Sequence, residues 1–198
     1  MRLSPSQWAD HVSFSKSPDS WIQPFLDEIP AAESILELGS AGGGITYPLV
    51  EAGRDVTALD FVPSLVERLK ERLGDDGAYL HDVETPLPFA DGSFDWVISS
   101  GLLEHYSDAM MVQILKECAR VARKGVISEI PNASCSKYVA WKRDLELRGA
   151  WEYGDETPRG SLISQYRKAS LTVSREYSVD KKSFDSPEGY LLVTVGTK

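Results

Sequence analysis

Residues suited to holding a ligand cluster between positions 35 and 105. An apolar run, Ile35-Leu36-Glu37-Leu38, passes straight into Gly39-Ser40-Ala41-Gly42-Gly43-Gly44 and then Ile45-Thr46. Small side chains at such a turn let a ligand approach the backbone and the N-terminus of the helix that follows. Asp60 lies 21 positions after Gly39, at the end of the next apolar run. A carboxylate there can accept hydrogen bonds from both hydroxyls of a ribose. Asp82 follows a third run, Ala78-Tyr79-Leu80-His81-Asp82-Val83, and is placed to face a base across the same crevice. The pattern implies a nucleoside-containing ligand. Gly39-x-Ala41-x-x-Gly44 also satisfies a relaxed dinucleotide fingerprint, and a glycine turn standing alone can serve only close packing of helix on strand.

The elements that must position these residues alternate between strand and helix patterns. Strand-type runs fall at Ser34–Leu38, Asp55–Leu59, Ala78–Leu80, Phe94–Ser99 and Gly125–Glu129. Between them, Pro63–Leu73 reads as a crossover helix opened by a Ser64-x-x-Glu67 capping box and stopped at Gly74. A second helix runs from Asp108 to about Ala122 behind a Ser107 cap, with Met111, Ile114, Leu115, Cys118 and Ala122 on its core face. This alternation predicts a doubly wound α/β fold with a parallel sheet. Two further β-rich runs, Leu171–Val179 and Tyr190–Val195, are joined by a connection too short for a helical crossover, so they should pair antiparallel.

Pro86-Leu87-Pro88-Phe89-Ala90-Asp91-Gly92-Ser93-Phe94-Asp95 then feeds the fourth strand, which ends in Ser99-Ser100-Gly101-Leu102-Leu103-Glu104-His105. With the glycine turn, these segments make residues 34–130 resemble the class I S-adenosylmethionine-dependent methyltransferases that share an E-x-G-x-G-x-G motif and an LPF-x-D-x-SFD turn. The resemblance implies a Rossmann-like seven-stranded sheet in the order 3-2-1-4-5-7-6 with its last strand antiparallel. It implies S-adenosylmethionine as cofactor, with S-adenosylhomocysteine as product. It assigns cofactor contacts to Glu37, Gly39, Ser40 and Gly43, to Asp60 at the ribose, to Phe61 beside the adenine, and to Asp82 and Val83 at its amine edge. Ser99 and Ser100 close that set at the end of the fourth strand. Ala41 stands where the family pattern has its middle glycine. Neither the Pro-Pro-aromatic element of amino-group DNA methyltransferases nor a Pro-Cys nucleophile follows the fourth strand.

His105 lies near where the family brings the transferable methyl group, so it is the candidate catalytic base, against a plain backbone-bonding role. Glu104 reads as structural. Acceptor recognition falls to the decorations of one domain spanning 1–198, an N-terminal arm over 1–33 and an insertion over 133–170. Trp8, Phe14, Trp21 and Phe25 in the arm, and Tyr138, Trp141, Trp151, Tyr153 and Tyr166 in the insertion, can form an apolar lid that excludes water. The insertion holds seven Lys or Arg against five acids, which suits either a mild pull on an anionic substrate or a solvated helix face. Tyr138-x-x-x-Lys142 has the spacing of short-chain dehydrogenase sites, the runner-up enzyme class. A non-catalytic cofactor-binding protein is the alternative outside enzymes.

Composition narrows the rest. Across 198 residues, 42% are hydrophobic and 26% charged, values at which a core forms and a disordered or low-complexity chain is excluded. The net charge of −9 repels phosphate backbones, so a small-molecule acceptor is expected rather than nucleic acid. Cys118 and Cys135, with no CxxC or nearby ligand pattern, predict neither a metal site nor a disulfide. No apolar stretch suits a membrane span or signal sequence, so a soluble cytoplasmic protein is expected.

Overall fold

The computed structural model describes residues 3–12 and 16–198, which leaves Phe14 outside the described residues. One seven-stranded sheet runs through it. The strands are β1 (Ser34–Leu38), β2 (Asp55–Asp60), β3 (Ala78–Leu80), β4 (Phe94–Ser100), β5 (Ala122–Pro131), β6 (Thr172–Val179) and β7 (Leu191–Thr197). Their order is β3-β2-β1-β4-β5-β7-β6. The pairs from β3 to β5 are parallel, and β7 is antiparallel to both of its neighbours. The order and the reversed strand expected from the sequence are therefore present.

Both faces of the sheet are covered. Leu36, Leu38, Val97, Val126 and Ile130 face one side and pack with Met111, Ile114, Leu115, Cys118 and Val121 of α5 (Asp108–Val121). Tyr166 of α7 (Ile163–Lys168) joins that cluster. Ile35, Trp96, Ile98, Ile127, Val193 and Val195 face the other side, against Ile22 and Phe25 of α2 (Asp19–Glu28) and Leu49 of α3 (Thr46–Glu51). Each buried Leu, Ile or Val contributes ~1.5–3 kcal/mol of transfer free energy, so these two layers dominate the stability of the fold. Phe25 is a core residue, not part of a lid.

Helix starts follow the sequence in one case and depart from it in another. Ser107 caps α5, its hydroxyl accepting from the Met110 N–H. The helix over Pro63–Leu73, α4, begins instead behind Val62, with no side-chain cap and with Pro63 in its first turn. The expected Ser64–Glu67 capping box is absent because the helix starts at Pro63, which places Ser64 inside it; proline needs no N–H partner there and its fixed φ suits the position. Two more helices, α1 (Pro5–His11) and α6 (Ser136–Leu147), lie over the end of the sheet where the carboxyl ends of β1 to β5 gather. Among the described residues no helix is long and apolar enough to cross a membrane.

Candidate functional site

Parallel register sets the site. Leu38 pairs with Leu59 and with Ser99, and Ser100 with Glu129. The residues just beyond these pairs, Gly39, Asp60 and Gly101, therefore open on one edge, the usual place for ligands in such sheets. β7 arrives from the opposite direction, Leu191 pairing with Pro131, so the connection before it also ends at this edge.

The glycine turn is fixed by its neighbours. The N–H groups of Gly39 and Ser40 donate to the Leu59 carbonyl at 2.8 and 3.2 Å. The Ser40 hydroxyl accepts from the Leu59 N–H at 3.1 Å, fastening β1 to β2. Asp60 bridges the turn and its own strand end, accepting from the Ala41 N–H at 2.8 Å and the Val62 N–H at 2.9 Å. Ala41 sits at φ 48, a left-handed conformation that costs a residue with a Cβ, and the Asp60 bond holds it there. Burial raises the Asp60 carboxyl above its ordinary value despite those donors. Glu37, 3% exposed, accepts from the Thr46 hydroxyl at 2.6 Å. Desolvation pushes its carboxyl up to about 8, so it carries a proton at neutral pH in the ligand-free crevice.

Two connected openings share this edge. A narrow one of about 90 Å³ is lined by Asp60, Phe61, Leu65 and Leu102. A chamber of about 590 Å³ reaches from Glu37 and Ser40 to Ser100, Glu104 and Tyr190. Gly39, Ala41 and His105 border both. Beyond the strand ends and the glycine turn, the walls of the chamber come from the N-terminal arm, α6 with the loop after it, and the connection before β7. These are tied together. The Ser17 N–H donates to the Gly44 carbonyl at 3.0 Å, and Trp21 Nε1 donates to Asp180 at 2.8 Å. Asn132 at the end of β5 donates to the carbonyls of Glu188 and Gly189, each at 3.1 Å.

Over the chamber lies the loop after α6. The Thr157 N–H donates to the Glu104 carbonyl at 2.9 Å, and His105 Nδ1 stands 2.8 Å from the Asp155 carbonyl. Since a carbonyl only accepts, the proton is on Nδ1 and Nε2 keeps its lone pair. Trp8 meets the same imidazole edge-on at 5.1 Å. Burial lowers the His105 pKa, so the ring is neutral at neutral pH. Tyr138 donates its hydroxyl to Glu156. A ring nitrogen of His105 and carboxylate oxygens of Glu104 and Glu156 lie within 4.8 Å of one another, a spacing that a metal ion also accepts.

Of the residues singled out from sequence, Glu37, Gly39, Ser40, Asp60, Phe61, Ser100 and His105 meet at these openings. Gly43, Asp82, Val83 and Ser99 do not line them. Gly43, at φ 80, lies under the Tyr47 ring, where a Cβ would come within 2.4 Å of it. Val83 is core, Ser99 is bonded to Ser128 at 3.3 Å, and Asp82 accepts from the Glu84 N–H at 3.1 Å. The lid aromatics Trp8, Trp21, Tyr138, Trp141, Trp151 and Tyr153 do line the chamber, whereas Tyr166 is buried against Ser128. Three basic residues of 133–170 pair with acids, Lys137 with Asp185, Arg148 with Asp144 and Arg159 with Asp108, whereas the charge of buried Lys142 reaches Glu156 and His105. Tyr138 and Lys142 form no proton relay, because Lys142 is paired with Glu146 and stacked 4.4 Å over Trp151. Glu156, Phe184 and Tyr190 also line the chamber and carried no motif in the sequence.

Known proteins share this fold. The methyltransferase domain family model matches residues 36–128. An uncharacterized methyltransferase of Synechocystis is 28% identical over 156 residues, covering 75% of this chain and 71% of its own length. A demethylmenaquinone methyltransferase of Beutenbergia cavernae is 38% identical over 53% of this chain, and a ubiquinone biosynthesis O-methyltransferase of Xanthomonas axonopodis is 30% identical over 72%. The chain spans 43% and 64% of those two relatives. Among solved structures, a Thermotoga maritima S-adenosylmethionine-dependent methyltransferase, titled a possible histamine N-methyltransferase, superposes with TM-score 0.70 at 19% identity, over 98% of this chain and 94% of its own. The Synechocystis magnesium protoporphyrin IX methyltransferase with bound S-adenosylhomocysteine gives 0.66 at 15%, over 91% and 81%. The short-chain dehydrogenase alternative falls away, and residues 36–128 belong to the methyltransferase domain family.

Proposed function

We propose that the two openings form one methyl-transfer site, in which the narrow one takes the nucleoside of S-adenosylmethionine and the chamber takes its methionine end together with a small-molecule acceptor. The observation that carries this reading is the chemistry of the wall. Glu37 is a buried carboxyl group at the chamber whose hydrogen-bond donor is the Thr46 hydroxyl and which has no cationic partner among the described residues. A buried carboxylate without a countercharge is costly, and a sulfonium and an ammonium supply the missing charge. The residues present therefore fit this cofactor.

When bound, S-adenosylmethionine supplies a methyl group on a positively charged sulfur. Asp60 would accept the ribose hydroxyls with the lone pairs its backbone bonds leave over, and Phe61 and Leu102 would flank the base. Glu37 faces the cationic methionine end. His105 takes the acceptor's proton at Nε2, its tautomer set by the Asp155 carbonyl. Much of the rate comes from alignment and from the lid's exclusion of water. Calorimetric titration with S-adenosylmethionine and S-adenosylhomocysteine tests the site. Micromolar binding, ~−8 kcal/mol, supports it. Saturable binding of a nicotinamide dinucleotide with no heat from either adenosyl compound refutes it.

A further inference from the structure

The chamber's acceptor side has a definite chemical character. Three carboxyl groups line it, Glu37, Glu104 and Glu156. Lys16 is paired with Asp19 at 2.7 Å, and Lys142 is paired with Glu146 while its charge also reaches Glu156, which leaves Glu104 with no cation beside it among the described residues. Glu104 is 3% exposed, and its Oε2 has no partner among the described residues. Beside the acids, with Tyr138 bonded to Glu156, runs a continuous train of rings. Trp21 meets Tyr190 at 5.6 Å, Tyr190 meets Tyr138 at 4.7 Å, Tyr138 meets Trp141 at 6.0 Å, and Trp141 meets Trp151 at 6.0 Å. Ring faces attract cations and offer no lone pairs to a metal, so acid and aromatic together select an organic cation rather than a hydrated ion.

We propose that the methyl acceptor is a primary or secondary amine bound as its ammonium ion, its nitrogen against Glu104 and Glu156 and its carbon skeleton along Tyr138, Trp141 and Tyr190. This rests on the methyl-transfer reading of the site. The ammonium gives one proton to Nε2 of His105. The freed nitrogen lone pair forms the new N–C bond while the methyl group's bond to sulfur breaks, that electron pair leaving with the sulfur. The product nitrogen is again cationic, so the same carboxylates hold acceptor and product alike. A carboxylate-bearing acceptor would bring like charge beside Glu104, which has no cationic partner among the described residues, and is rejected.

The test uses the full chain saturated with S-adenosylhomocysteine, so that the probes compete only for the acceptor side. 2-Phenylethylamine, 2-phenylethanol and phenylacetate are titrated calorimetrically near neutral pH; they present cation, neutral isostere and anion. The amine should bind at least tenfold tighter than the alcohol, and phenylacetate should give no saturable heat. In Glu104→Gln and Glu156→Gln the preference for amine over alcohol should shrink several-fold, with the affinity for S-adenosylhomocysteine held within about threefold. The wild-type order stands on its own if either variant fails to fold. Equal or tighter binding of the alcohol or of phenylacetate overturns the proposal. So does saturable binding of Mg²⁺ or Mn²⁺ that displaces the amine, which would make the cluster a metal site. Failure to bind S-adenosylhomocysteine at all refutes the methyl-transfer reading itself, a result distinct from loss of amine selectivity.

Discussion

Cofactor affinity should rise steeply with pH below neutrality, and Glu37 is the reason. Burial holds its carboxyl at about 8 in the ligand-free crevice, with the nearby Asp60 charge acting in the same direction. A neutral carboxylic acid gives little to a cation, so binding requires ionisation. Below that pKa each unit of pH changes the ionised fraction about tenfold, and Kd for S-adenosylmethionine should fall about tenfold per unit from about pH 6 to about pH 7. In this window the cofactor's own amine, ~7.7–8.0 when free, keeps most of its proton. About one proton should leave for each molecule bound. Calorimetry in two buffers of different ionisation enthalpy reads both the slope and the proton. Glu37→Gln cannot ionise, so its slope should flatten and Glu37's share of the released proton should vanish. Stability runs the other way. A carboxyl raised in the folded state favours the fold below its ordinary value of 4.5, and that contribution is lost as pH rises through about 8. Ligand-free melting temperature should therefore fall across that range while the cofactor's stabilising shift grows. A wild-type Kd that does not move with pH, with no proton released, would refute the reasoning.

Asp60→Ala should do two things, because its carboxylate serves the glycine turn as well as the crevice. Leaving the N–H groups of Ala41 and Val62 without an acceptor costs ~1–3 kcal/mol each where they stay buried, so thermal melts should drop while titration shows cofactor binding at least tenfold weaker; an unchanged melting temperature would contradict the bridge. Gly43→Ala should lower the melting temperature through the clash with Tyr47 and the positive φ, while whatever folds binds cofactor within about threefold of wild type. His105→Ala should slow single-turnover methyl transfer by ~10²–10⁴ at unchanged cofactor affinity. The wild-type acid limb should sit below the unperturbed ~6.5, since burial lowers that imidazole and it stays neutral, able to accept a proton, to lower pH; a loss under about tenfold would make His105 a structural residue.

Local signals carried the sheet. The run from Ile35 into the glycines, Asp60 behind its apolar strand and the Ser107 cap each act over a few residues, and each stands where the pattern put it. The antiparallel β7 followed from a connection too short to cross over. The same reversal entails that Tyr190, preceding β7, lies at the same edge as Asp60. Phe184 and Tyr190 carry no motif as wall residues, although the topology alone places them. Glu156 had no such signal, since only the Thr157–Glu104 and His105–Asp155 bonds bring it beside Glu104. Charge counting over 133–170 suggests a mild pull on anions, whereas Lys137, Arg148 and Arg159 are paired with acids and half-buried Glu156, the acceptor of the Tyr138 hydroxyl, faces the chamber. A regional sum is blind to which side chains point inward.

Synthesis order gives the reversed strand another consequence. β7 is the seventh strand to leave the ribosome, yet it belongs between β5 and β6. Until it is made, β5 presents an open edge, and β6 has no neighbour to pair with. The growing chain can assemble β1 to β5 with their helices, including the glycine turn and Asp60, but not the finished sheet or the chamber wall at Tyr190. Nascent chains halted before Leu191 should therefore recruit chaperones through that exposed edge, and acquire the acceptor chamber only when the final pairing closes it.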